Sequence, residues 1–141
     1  MLIDEAMVLS DAQDETTQTT HISDNVIDLG VTGRRFDNPL WFVFRIDTAI
    51  VSAGGGTLDI QIVTSAAAGL TDSTVLWDSG IIANATIVAW AAGATPYVIP
   101  LHYTGTLLRY LGAIYTIGTA AFTAGKWDLV GTYDQPPNPV L

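Results

Sequence analysis

The feature that most restricts how this chain can fold is its punctuation: short β-branched and aromatic runs recur, cut off after about ten residues by Gly, Pro, Asn, Asp or Ser. Successive side chains of a strand point to opposite faces, so an alternating run reads as a half-buried strand. Leu40-Trp41-Phe42-Val43-Phe44-Arg45-Ile46-Asp47 places Leu40, Phe42, Phe44 and Ile46 on one face and ends the other in Arg45 and Asp47. Thr57-Leu58-Asp59-Ile60-Gln61-Ile62-Val63 sets Leu58, Ile60 and Ile62 against Asp59 and Gln61. Further strands are predicted over 25–29, 75–79, 87–90, 97–102, 107–117 and 126–133. Helical periodicity is weak, and the total of about eight strands is that of a double-sheet jelly roll. The expected fold is an all-β, two-sheet β-sandwich of jelly-roll type, one domain over residues 1–141, with an acidic arm over 1–24 and a Pro-rich tail over 134–141. Gly54-Gly55-Gly56 reads as a hairpin turn, and 66–69 and 91–94 as further turns. Pro96 and Pro100 put their strand at an edge or a bulge, where a missing donor is tolerated and open backbone groups can extend a partner's sheet.

Charge then narrows the partners. Fourteen acids against five Lys and Arg give a net charge of −9, which repels phosphate backbones and anionic headgroups, so neither nucleic acid nor membrane is an expected partner. Asp4, Glu5, Asp11, Asp14, Glu15, Asp24 and Asp28 all precede the first basic residue, Arg34. This acidic segment reads as a solvated arm or as one that docks on a basic strip of a partner. Met1-Leu2-Ile3 runs into Asp4 and Glu5 rather than through a basic and then an apolar region, so no secretory signal is expected. The stretch 79–108 carries no formal charge, but Asn84, Gly93, Pro96, Pro100 and Gly105 interrupt it and strand alternation explains its apolarity better than a membrane span.

Catalytic chemistry has little to stand on. Cysteine is absent, and the two imidazoles, His21 and His102, lie in no recognisable motif. Ser10, Ser23 and Ser52 lack a Gly-x-Ser-x-Gly elbow, and Gly54-Gly55-Gly56-Thr57 lacks the Lys of a phosphate-binding loop. No enzyme activity, cofactor or metal is expected; Asp11, Asp14 and Glu15 cluster oxygens without the spacing or the glycine of a calcium loop. Arg34 and Arg35 form the one local basic pair, able to grip carboxylates of a partner. Arg109, inside an apolar run, is expected to be a buried or interfacial partner of an Asp. Four Trp, five Tyr and four Phe exceed what one small core needs, so some should reach the surface, where large aromatics dominate contact energetics.

From end to end the chain resembles the jelly-roll cement proteins that decorate the capsids of certain tailed phages, a family known from a Bordetella phage. The likeness is carried by Leu9-Ser10-Asp11-Ala12-Gln13, Asn25-Val26-Ile27-Asp28-Leu29-Gly30, Leu107-Leu108-Arg109-Tyr110-Leu111 and Phe122-Thr123-Ala124-Gly125 in that order. It departs at the Arg34-Arg35 loop and at the Pro136-Pro137-Asn138-Pro139 tail. The resemblance implies a capsid decoration protein, made in the bacterial host cytoplasm, that sits on the outer capsid surface of the virion. There it would bridge major capsid protein subunits, as a homodimer or homotrimer. Candidate contact residues are Met1, Leu2, Ile3, Asp11, Asp14, Glu15, Arg34, Arg35, Pro136, Pro137, Pro139 and Leu141, chosen for acidity, a basic pair and an extended tail. The alternative is a carbohydrate-binding or tail-fibre-type β-sandwich in which exposed aromatics stack on sugar rings.

Overall fold

The computed structural model describes residues 7–33, 40–101, 105–133, 136 and 139. Nine strands are assigned among them: β1 (Val8–Gln13), β2 (Thr20–Ile22), β3 (Ile27–Asp28), β4 (Leu40–Val51), β5 (Thr57–Ser65), β6 (Thr74–Asp78), β7 (Tyr97–Leu101), β8 (Tyr110–Gly118) and β9 (Ala124–Thr132), with one short helix, α1 (Asn84–Ile87). One antiparallel sheet has the order β1-β9-β4-β7, and the other the order β2-β8-β5-β6 with the two-residue β3 also on β8. With β3 set aside, the chain crosses from sheet to sheet as a jelly roll requires, the outermost strand pairs folding inward on one another.

Alternation explains which faces meet. Leu40, Phe42, Phe44 and Ile46 of β4 are buried, and Ile50 is buried as well, in a stretch where β4 shifts register against β9. From the other sheet Leu58, Ile60 and Ile62 of β5 and Leu111, Ala113, Tyr115 and Ile117 of β8 face them, joined by Trp127 and Leu129 of β9. Each buried Leu, Ile or Phe among them contributes about 1.5–3 kcal/mol by leaving water. Trp127 and Tyr115 tie the sheets together edge to face, their rings 5.3 Å apart. Gly112 on β8 admits Leu70 from the connection after β5; a Cβ there would lie 2.6 Å from the leucine's Cδ1.

Four expectations need correction. Residues 8–13 and 20–22 are strands rather than parts of a solvated arm, and Leu9 is wholly buried. The run 87–90 is not a strand: Ile87 and Trp90, both buried, are three residues apart and share one face of a helical turn, whereas a strand would point them apart. Gly54-Gly55-Gly56 closes no hairpin, because β4 and β5 belong to different sheets; Gly56 is needed where a Cβ would come 2.5 Å from the Ala120 carbonyl oxygen. Arg109 precedes β8 instead of lying within it, and it is exposed. The edge position of β7, with Pro100 opposite Trp41, is as expected. No helix among the described residues is long and apolar enough to cross a membrane.

Candidate protein interface

Strand polarity sorts the candidate residues between the two ends of the sandwich. β1, β4, β6 and β8 start at one end, where β3, β5, β7 and β9 finish; the connections β1–β2, β4–β5, β6–β7 and β8–β9 lie at the other. Met7, Gly33, Leu40, Leu101 and Tyr133 therefore all belong to the first end.

At that end the turn after β3 is held rigidly. Gly30 and Gly33 adopt φ of +82° and +87°, a region open to glycine at little cost. The Asp28 carboxylate accepts hydrogen bonds from the Gly30 N–H at 2.8 Å and from Arg109 Nε and Nη2, both at 2.9 Å. Arg109 lies over the Tyr110 ring, 5.1 Å from its centroid. The guanidinium first, then the Gly30 N–H, hold the Asp28 carboxyl down at about 2. Backbone bonds from Leu29 to Arg109 and from Gly33 to Leu107, at 2.7 and 2.6 Å, fasten the turn along its length. Val31 is left at the tip, 59% exposed.

The acidic candidates are placed elsewhere. Asp11 is exposed on β1, whose residue Ala12 has a φ of +49°. Asp14 and Glu15 lie in the β1–β2 connection at the opposite end, facing Lys126 Nζ at 3.7 Å and His21 Nδ1 at 2.8 Å respectively. They turn to different partners, and no group of three His, Cys, Asp or Glu suited to a metal occurs among the described residues. Pro136 is buried and Pro139 exposed. Met1, Leu2, Ile3, Arg34, Arg35, Pro137 and Leu141 lie outside the described residues, as does His102.

Two features go beyond what the sequence offered. One is the identity of the Asp that Arg109 was expected to partner, which is Asp28, 81 residues away. The other is an acid pair on the outer face of the β2-β8-β5-β6 sheet. Asp78 at the end of β6 accepts from the Gly80 N–H at 2.6 Å and from Gln61 Nε2 at 3.1 Å, and these donors hold its carboxyl below its ordinary range. Asp59, two residues before Asp78's register partner Gln61 on β5, is pushed up by burial and then by Asp78, and its Oδ1 is buried with no hydrogen-bond partner among the described residues. Neither β5 nor β6 contains a Lys or Arg.

Among the described residues the aromatics are buried or half-buried, except Tyr133, which is exposed. Trp90 and Trp127 are buried, and Trp41 and Trp77 half-buried, Trp77 meeting the Tyr97 ring edge-on at 5.5 Å. A family model described as Bbp16 matches residues 9–130. No curated protein matches the chain.

Proposed function

The chain belongs to the Bbp16 family, named for the capsid cement protein of Bordetella phage BPP-1, and from that premise we propose that it binds the outer surface of a phage head and bridges neighbouring major capsid subunits. The family is one of structural phage proteins with a place in the virion. The observation that carries the proposal is the family match over residues 9–130 on a sandwich with jelly-roll strand order.

The gripping end in this reading is the one at which β1 and β4 begin and β3 and β9 finish. It offers the turn pinned by Asp28 and Arg109, with exposed Val31 at its tip, directly before Arg34 and Arg35. We assign shell contacts to Met1, Leu2, Ile3, Arg34, Arg35, Pro136, Pro137, Pro139 and Leu141. Asp11, Asp14 and Glu15 form a separate acidic contact along β1 and beyond its far end. Arg34 and Arg35 directly follow that braced turn in sequence, and adjacent guanidiniums suit bidentate pairing with shell carboxylates. A homodimer or homotrimer, present in many copies, would add avidity to individually weak contacts. Binding the mature lattice but not its dissociated subunits stabilises the lattice by linkage, so a decorated head withstands more heat or internal pressure.

The test is co-sedimentation of the protein with undecorated, expanded heads of its own phage, followed by heating. Saturable binding and a raised disruption temperature are expected; absence of binding would overturn the cement role. The sugar-binding reading has less support, since Trp90 and Trp127 are buried and Trp41 and Trp77 half-buried, leaving no open indole platform. A glycan array is expected to give no signal above background.

A further inference from the structure

Each sheet of the sandwich has two edges, and three of the four are closed to a partner. β1 and the β2–β3 strand lean on each other: the Asn25 N–H donates to the Leu9 carbonyl at 2.9 Å, and Gln13 Nε2 donates to the Ile22 carbonyl at 2.8 Å. β1 is further irregular, with two register shifts in six residues. β7 carries Pro100 and follows Pro96, and neither proline has a backbone donor to offer an added strand. β6 remains. It has no proline and one register shift against β5, and among the described residues no backbone hydrogen bond joins 74–78 to anything but β5. Val75 on its outer side is 44% exposed.

Building on the cement reading, we infer that β6 is a strand-addition site, and that its occupant is an extended, positively charged segment of a shell subunit. Main-chain groups of β6 would supply the hydrogen bonds, and alternate side chains of the added strand would lie over the outer face. The sign of the occupant follows from the acids. Asp59 and Asp78 crowd each other on that face, Asp72 is exposed just before the strand, and no cation lies on β5 or β6. A Lys or Arg of the incoming strand would relieve this repulsion, as cross-strand opposite charges do. A second copy fits poorly, because pairing β6 with itself adds acids to acids in a chain whose net charge is −9.

The experiment uses the full-length protein and undecorated expanded heads, with amide hydrogen exchange of residues 74–78 read in the free and head-bound states. Exchange in 74–78 is expected to slow by roughly tenfold or more on the head. Asp78→Lys is expected to weaken co-sedimentation by about tenfold, and Asp78→Asn by less, with the thermal midpoint of the free protein as the check that each variant folds. Val75→Lys, which leaves the acid pair intact, should also weaken binding. If the wild type binds heads while 74–78 exchange as fast as before and all three variants bind normally, the edge proposal is wrong and the cement reading stands. If slowed exchange in 74–78 appears in the free protein as its concentration rises, the occupant is a second copy and the basic-segment proposal is overturned. If the wild type does not bind heads at all, both readings fall.

Discussion

The two long sides of this sandwich are built to opposite rules. On the β1/β2 side the sheets are stitched together: Ser10 Oγ lies 2.8 Å from the Tyr115 hydroxyl and donates to Gln13 Oε1, while Gln13 reaches the Ile22 carbonyl and accepts from the Asp24 N–H at 3.2 Å. Ser10, Gln13 and Tyr115 are buried, and burial drives the Tyr115 hydroxyl well above the ordinary tyrosine range, so it stays a neutral donor. On the β6/β7 side no such bracing occurs among the described residues; the sheets meet there through Trp77 and Tyr97 ring contacts. A jelly roll must leave sheet edges somewhere. Here one side closes them with a satisfied polar network and the other leaves a short edge with acids beside it, which repels its own kind and suits a cationic partner.

Truncation on the braced side should do the most damage. Leu9→Ala empties a wholly buried site and is expected to cost about 2–5 kcal/mol in denaturant unfolding, against about 1 kcal/mol for Leu76→Ala on half-buried β6. Equal losses would erase the contrast between the two sides. Next comes Gln13→Ala, which strands the Ile22 carbonyl and the Asp24 N–H; about 1–3 kcal/mol is expected. Val75→Lys should change stability by no more than about 0.5 kcal/mol, since its cost is meant to appear on the shell and not in the fold.

The same contrast decides what could be read in the sequence. β4 and β5 were legible because their inward positions over 40–46 and 58–62 are all large and apolar and their outward ones include Arg45, Asp59 and Gln61. The proline at 100 announced an edge, because a missing donor has a local cause. β1 was hidden: Val-Leu-Ser-Asp-Ala-Gln does not alternate, since its bulges and the positive φ of Ala12 break the period and its inward polar groups find partners on β2 and β8. Acids in a segment read as solvation when the strand that absorbs them is far along the chain, as β9 is from β1. For the candidate interface, the loop before Arg34 could be named, but not the 81-residue pairing of Asp28 with Arg109 that braces it. Likewise Val75, Leu76 and Trp77 marked a strand, while its place at an open edge depends on which strands fold beside it.

Two titrations sharpen the picture at smaller scale. Asp59 holds its proton more tightly when folded than its ordinary 3.8, so its charge weakens the fold at neutral pH, and the deficit is relieved as pH falls through the raised value towards 3.8. Asp59→Asn should therefore stabilise the protein at neutral pH by about 0.2–1 kcal/mol, the range of a cross-strand charge pair. The gain should shrink in mild acid, where the wild-type carboxyl is already neutral; a gain that is flat with pH would mean that neither burial of the charge nor repulsion by Asp78 is its source.

The smallest effect belongs to the exposed Asp28–Arg109 pair, and its sign is opposite. With the folded carboxyl held at about 2 against an ordinary 3.8, its contribution is complete above 3.8 and is lost as pH falls through about 2. Asp28→Asn should lower the thermal midpoint slightly and evenly from neutral pH down to that window, with the difference from wild type closing by pH 2 and fading with added salt. Because the pair braces the turn that precedes Arg34 and Arg35, the variant should bind heads more weakly than its small stability loss would suggest. Unchanged head binding would show that the turn needs no brace, and that Gly30, Gly33 and the Leu107 contact hold it unaided.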